Sequence, residues 1–293
     1  MSAARIWLQA TRPRTLPAAV APVLVGTAVA ATDDVFSVLR FLACLLGALF
    51  IQVGTNLSND YSDARRGADT EDRLGPVRVT AGGLVPPKAV LVATWISFGL
   101  ATLCGVYLVA VAGWELLVVG VASIAAGVLY TGGPRPYGYA GLGEVFVFVF
   151  FGLAAVAGSA FAQLESWPLD AIILAVPVGL LASAILVVNN VRDMDTDRRA
   201  GKNTLAVKLG REKARTVFAA MVYGAFVIAP VPWILGELGP WLLLCWLALP
   251  LAVPLVTFVR QHTDGPSLNQ ALARTAMVQL VFCVLLSAGV MAS

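Results

Sequence analysis

The chain has 293 residues, of which 59% are hydrophobic and only 13% charged, with a mean hydropathy of +0.83. Ordinary soluble domains carry about 45–50% apolar and about 25% charged residues, so the composition excludes a soluble globular enzyme and a disordered chain. A net charge of +3 is too small for a phosphate-backbone binder, which excludes a nucleic-acid module and leaves an all-α integral membrane protein.

In chain order, nine stretches approach the ~20 apolar residues that a helical span needs: 15–31, 36–58, 88–110, 114–130, 143–163, 171–190, 216–234, 241–259 and 271–292. Pro13, Pro17 and Pro22 interrupt the first. Its flanks, Arg5, Arg12 and Arg14 before an apolar run ending Ala28-Val29-Ala30, imitate a signal peptide, but prolines so early suit a kinked, retained helix better. Cys44, Cys104, Cys245 and Cys283 sit inside apolar runs without metal-ligand spacing and read as small hydrophobes. Residues 1–293 are expected to form a single membrane-embedded domain.

Basic residues fix the expected sidedness. With the N-terminus in the cytoplasm, segments 1–14, 59–87, 131–142, 191–215 and 260–270 face inward and hold the Lys and Arg outside the spans, Arg40 excepted. The outer loops hold Asp33, Asp34, Glu165, Asp170 and Glu237. The expectation is a multi-pass protein of the cell (inner) membrane with its C-terminus outside.

Two inner loops are long and polar, and they follow the second and sixth spans, a placement that hints at two related halves. At about 100° per residue, Asn56, Asp60 and Asp63 at the end of the second span fall within about 60° of one another. Gly67 is expected to end or bend that helix and return Asp69 toward the same face. At the end of the sixth span Asn190, Asp193 and Asp197 share a face, while Asp195 points elsewhere; Asp195, Glu71 and Asp72 read as solvated charges.

Oxygen-only clusters suit Mg²⁺, which keeps several waters and shares its shell with substrate phosphates. Arg65, Arg66, Arg73, Arg78, Arg192, Arg198, Arg199 and Lys202 stand beside the carboxylates, suited to the remaining phosphate oxygens. Inside a bilayer this chemistry implies a prenyl diphosphate, whose diphosphate departs to leave an allylic cation that an electron-rich aromatic ring attacks. One loop of mixed charge after a span is ordinarily a solvated loop; two, each continuous with a helix end, weigh against that reading. A secondary transporter with two pseudo-repeats is the competing class, but no span carries an ionisable residue at mid-depth, where a coupled ion would bind. A structural scaffold leaves the paired motifs unexplained.

At these loops, and in the blocks WLQATRPRTLPAAVAPVLVG (7–26), NLSNDYSDARRGADTEDRLGPVR (56–78), YTGGPRPYGYAGLGEVFVFVFFG (130–152) and NNVRDMDTDRRAGKNTLAVKLG (189–210), the sequence resembles the UbiA-type intramembrane aromatic prenyltransferases over nearly its whole length. Within them it looks most like the branch whose acceptor is 1,4-dihydroxy-2-naphthoate. The resemblance implies nine transmembrane helices around a central cavity, with the active site facing the cytoplasm. It implies Mg²⁺ at Asn56, Asp60, Asp63, Asn190, Asp193 and Asp197, with Asn59 and Asp69 as further candidates; from the residues themselves, diphosphate is expected at Asn59, Arg65, Arg66, Arg73, Arg78, Arg192 and Lys202. Asp60, Asp63, Asp193, Asp197 and Lys202 would be catalytic, in a transfer that joins a polyprenyl group to the acceptor with loss of CO₂ and diphosphate. The alternative within the family is another acceptor such as 4-hydroxybenzoate. One departure is Gly67, which stands where the common family pattern has its last Asp.

For the acceptor, Tyr130, Arg135, Tyr137 and Tyr139 offer rings for stacking and a cation for a carboxylate. Interfacial tyrosines are also routine membrane anchors, so both readings stand. Glu144 is expected to orient a basic group, and His262, the lone histidine, reads as solvated and receives no role as a base.

Overall fold

A computed structural model describes residues 2–69 and 74–293, and among them the regular elements are all helical. A short amphipathic helix α1 (Ala3–Thr11) leads into α2 (Pro17–Thr32), with a 51° bend between them. Pro13 and Pro17 withhold the backbone donors that would continue one helix across this joint, and Arg12 takes a left-handed φ of 53° there. The chain continues through α3 (Val38–Arg65), α4 (Pro87–Ala112), α5 (Glu115–Leu129), α6 (Gly143–Leu164) and α7 (Leu169–Arg199). After the short α8 (Leu205–Leu209), the bundle closes with α9 (Arg211–Ile234), α10 (Pro240–Gln261) and α11 (Gly265–Met291).

Among the described residues seven helices, α3, α4, α6, α7, α9, α10 and α11, are long and apolar enough to cross a membrane, and the bent α1–α2 pair makes an eighth. The expected count of nine is not reached on length alone. Helix α5 has 15 residues, about 22 Å at 1.5 Å per residue, against a hydrocarbon core of about 30 Å. Gly113 precedes it and Gly132 and Gly133 follow it, which keeps it short.

The largest core cluster is built by α2, α6, α7, α9, α10 and α11, with Val25, Leu181, Phe218, Leu242, Leu255 and Phe282 fully enclosed or nearly so. Helix α7 is the most enclosed. By contrast α4 leaves Val92, Trp95, Ile96, Leu103 and Val106 exposed, as a helix facing lipid does. Two contacts depend on glycine. A Cβ on Gly26 of α2 would lie 2.1 Å from the Val156 carbonyl oxygen of α6, and one on Gly152 of α6 would lie 2.7 Å from the Cα of Gly179 on α7. Residues Phe148–Ala154 of α6 wind as π-helix around this second contact.

One end of the bundle carries a clasp. The Arg40 guanidinium donates to the carbonyls of Val111 (2.7 Å), Ala162 (3.1 Å) and Gln163 (3.0 Å) and to Glu165 Oε1 (2.8 Å), joining α3, α4 and α6. At the opposite end lie the termini of α3 and α7, the α5–α6 loop and the α1–α2 bend.

Candidate active site

A cavity of about 390 Å³ runs between α2, α3, α4, α5, α6 and α7. Its deep wall is apolar, with Ala101, Leu108, Val119 and Phe151, and its mouth is polar. Helix α3 presents Gln52, Thr55, Asn56, Asn59 and Asp63 to it. At about 100° per residue these five span roughly 100° of the helix. Asp60 is about 100° from Asn59 and falls beyond the edge of that arc. Helix α7 presents Ala182, Ile185, Leu186, Asn189, Asn190, Asp193 and Asp197. Arg192 and Asp195 lie off this face for the same reason.

The chain terminates both helices so that further groups fold back. Gly67 takes φ 66° after α3, and the Ala68 N–H donates to the Asp63 carbonyl at 3.0 Å. Asp69 then lands beside Arg78, whose Nε is 3.6 Å from Asp69 Oδ1 and whose Nη2 is 3.9 Å from Asp63 Oδ2. After α7, Gly201 takes φ 73°, the Lys202 N–H donates to the Asp197 carbonyl at 2.8 Å, and the Asn203 N–H donates to the Tyr139 carbonyl at 2.9 Å. This turn aims the Lys202 ammonium at Asp63 Oδ2, 3.0 Å away and buried. The Tyr139 hydroxyl donates to Asp63 Oδ1 at 2.9 Å. Burial first, and then the Asp63 charge, push the Tyr139 phenol above its ordinary range, so it remains a donor at neutral pH.

An aromatic wall completes the mouth. The rings of Tyr130 and Tyr137 meet edge to face at 5.4 Å, and Tyr137 stacks on Phe146 at 3.8 Å. The Tyr137 hydroxyl donates to the Ala126 carbonyl at 2.9 Å. A Cβ on Gly138 would meet the Tyr130 ring at 2.8 Å, so glycine lets the loop close over it.

The structure brings together Asn56, Asn59, Asp63, Asp69, Arg78, Tyr130, Tyr139, Asn190, Asp193, Asp197 and Lys202. Asn56 also donates to the Thr11 carbonyl (3.0 Å), Asn59 Oδ1 accepts from the Thr131 hydroxyl (2.9 Å), and Asn190 donates to Glu144 Oε1 (2.8 Å). The structure places other expected residues away from the cavity lining. Arg65 is exposed and donates to the Tyr61 hydroxyl at 3.0 Å. Arg66 is exposed and is spent on the carbonyls of Thr131 and Gly133. Arg192 is buried off the cavity face and pairs bidentately with Asp193 (2.8 and 2.5 Å). Arg135 is exposed and off the cavity lining. Asp60 is 2% exposed and likewise off the lining, with its oxygens bound to backbone N–H groups. Glu144 is buried, and its Oε1 accepts from the Asn190 amide. Arg73, Glu71 and Asp72 lie outside the described residues. Asp195 is exposed and pairs with Arg211 at 2.9 Å, and His262 stacks on Phe258.

Sequence reasoning missed Arg12 and Asn189, which line the cavity, and Asn269, whose Oδ1 accepts from Arg192 at 2.6 Å. A signal for Asn189 existed. Asn59 and Asp63 are four apart, as are Asn189, Asp193 and Asp197, a shared spacing that the pairing of Asn56 with Asn190 obscured.

The donors are all oxygen and suit a hard divalent cation. Among the described residues no three Asp, Glu, His or Cys side chains form a cage for one ion.

Fold and cavity together define the class: an all-helical membrane protein with an ion-paired centre at one end of an apolar cavity. Residues 19–290 match the UbiA prenyltransferase family, and the chain belongs to that family. It is 40% identical over 278 residues to a 1,4-dihydroxy-2-naphthoate octaprenyltransferase of Mycobacterium tuberculosis, covering 95% of this chain and 94% of that one. It is 39% identical over 301 residues to the Escherichia coli protein of the same name, covering 100% and 97%. A UbiA homolog from Archaeoglobus fulgidus, solved bound to GPP and Mg²⁺, shares the fold with a TM-score of 0.72 at 14% identity, covering 98% of this chain and 100% of that one.

Proposed function

We propose that the protein transfers a polyprenyl group from polyprenyl diphosphate to 1,4-dihydroxy-2-naphthoate in menaquinone synthesis, releasing diphosphate and CO₂. The observation that carries the reading is the convergence of two acidic helix ends, Asn59/Asp63 and Asn189/Asp193/Asp197, on one cavity with an apolar, aromatic interior. The names of the relatives supply the acceptor.

Asn59, Asp63 and Asp69 on one side and Asn189, Asn190, Asp193 and Asp197 on the other would hold Mg²⁺, which when bound supplies Lewis-acid neutralisation of the diphosphate. Lys202 and Arg78 grip diphosphate oxygens and stabilise the negative charge that grows as the carbon–oxygen bond breaks. The faces of Tyr130, Tyr137 and Phe146 surround the allylic cation with electron-rich surface and keep water from it. A ring carbon of the acceptor then forms the new carbon–carbon bond. The carboxyl leaves as CO₂, and its bonding pair returns to the ring, so the balance needs no oxidant. Tyr139, whose one hydroxyl proton is committed to Asp63, presents its ring at the mouth for stacking. The mouth faces the cytoplasm of the cell membrane, with the N-terminus inside and the C-terminus outside.

The test is a membrane assay with naphthoate and 4-hydroxybenzoate acceptors in parallel, with and without Mg²⁺. Prenylated naphthol formed only with Mg²⁺ is the expected result. Product from the benzoate alone would overturn the acceptor, and full turnover in chelator would overturn the metal.

A further inference from the structure

We infer that Asp60 is a positioning residue, a clamp that fixes the backbone delivering Arg78 to the cavity and acts through that arginine. The inference rests on the reading of Arg78 as a diphosphate grip. It departs from the expectation that Asp60 is a metal ligand.

Both carboxylate oxygens are engaged with successive backbone amides: Oδ2 accepts from the Val79 N–H at 3.0 Å and Oδ1 from the Thr80 N–H at 2.9 Å. These are the two residues immediately after Arg78. On its other side the same short segment is tied into a turn. The Arg78 carbonyl accepts from the Gly82 N–H at 2.9 Å, and the Val79 carbonyl from the N–H groups of Leu84 and Val85 at 2.9 and 3.0 Å. The backbone from 78 to 80 is thus held by its donors through Asp60 and by its acceptors through the turn. Arg78 is left to reach inward between Asp63 and Asp69, with a side chain only 10% exposed.

Helix geometry agrees. Asp60 projects just off the arc of α3 that lines the cavity, about 100° from Asn59 and about 60° from Asp63, toward the loop. Chemistry also separates the two roles. Two parallel N–H groups ask for two acceptor oxygens, which a carboxylate has and a carboxamide lacks, because the Asn NH₂ would face a backbone N–H. A buried donor left unmatched is costly, so Asp60→Asn releases the segment although it changes few atoms.

The experiment uses the full chain purified in detergent, with two readouts. The first is limited trypsinolysis, with the cut at Arg78–Val79 quantified by mass spectrometry. The second is steady-state kinetics against prenyl diphosphate and against Mg²⁺ for Asp60→Asn, Arg78→Ala and the double variant. The expected results are cleavage at Arg78–Val79 at least ten-fold faster in Asp60→Asn than in the unaltered protein, and an unchanged Mg²⁺ concentration for half-maximal turnover. The double variant should be no slower than Arg78→Ala alone. Should Asp60→Asn fail to fold, Thr80→Pro removes one of the two donors with Asp60 in place, and the same faster cleavage is expected. Cleavage at the unaltered rate, a ten-fold rise in the Mg²⁺ requirement, or multiplicative losses in the double variant each overturn the clamp. Because cleavage is read without substrate, failure of the proposed reaction leaves that readout intact.

Discussion

Lys202 is the side chain on which the local chemistry turns. It reaches Asp63 only because Gly201 permits the reversal after α7, and its ammonium also lies 4.9 Å from the Tyr139 ring centre. An interaction that strengthens as the leaving group acquires charge lowers kcat more than it raises KM when removed. Lys202→Ala is therefore expected to cost about 10²–10³ in kcat, measured with varied prenyl diphosphate, and unchanged kcat would remove Lys202 from the site. Lys202→Arg should recover only part, since a planar fork does not replace a compact ammonium. Asp195→Ala should stay within two-fold of normal turnover, because Asp195 is exposed and meets Arg211 outside the cavity. A loss as deep as that of Asp193→Ala would contradict the α7 register. This register was legible from the sequence, since period 3.6 separates Asp193 and Asp197 from Asp195. What was not legible is which edge of the α3 stripe faces inward: Asn56, Asn59, Asp60 and Asp63 are all polar, and only packing against the loop at 79–80 turns Asp60 aside.

At the level of helices, hydropathy located each apolar stretch, and the prolines around residue 13 foretold the break between α1 and α2. The run 114–130 bracketed α5 to within one residue at each end; what its composition did not mark is that the helix falls short of a full span. Helix contacts were equally invisible, since a glycine in an apolar run reads the same whether or not a neighbour presses on it. Gly26→Val tests the closest of them. The added Cβ has backbone rather than a flexible side chain in its way, so α2 and α6 must separate. A cost of about 1–3 kcal/mol is expected, seen as a lower melting temperature in detergent, whereas Gly99→Ala, with open space around it in the middle of α4, should leave melting unchanged or slightly raised. Equal melting of Gly26→Val and the parent would show that the crossing is looser than described.

For the molecule as a whole, the charge asymmetry and the position of the site make one joint prediction. Single cysteines placed in 164–170 of a cysteine-free background should react with impermeant reagents from outside intact cells, and those in 198–203 only after permeabilisation. The reverse pattern would move the ion-paired mouth to the other face and with it the side from which both substrates are supplied. The resemblance at four sequence blocks foreshadowed the overall architecture, because blocks 56–78 and 189–210 are the two helix ends that meet at the cavity. The α11 contribution through Asn269 was beyond sequence reading, being a contact 77 residues away from Arg192.

The clasp at Arg40 has a consequence for how the chain is laid into the bilayer. The guanidinium is satisfied by carbonyls at the ends of α4 and α6, both of which are synthesised after α3. If the mouth faces the cytoplasm, Arg40, the third residue of α3, has to be translocated while still without these partners, at a cost below the about 2.5–3.5 kcal/mol of a charge at a helix centre. Pairing with Val111 becomes available as soon as α4 has been threaded, well before α6. In that orientation membrane integration would be least secure between α3 and α4, and a pause in synthesis there would leave α3 prone to slip back.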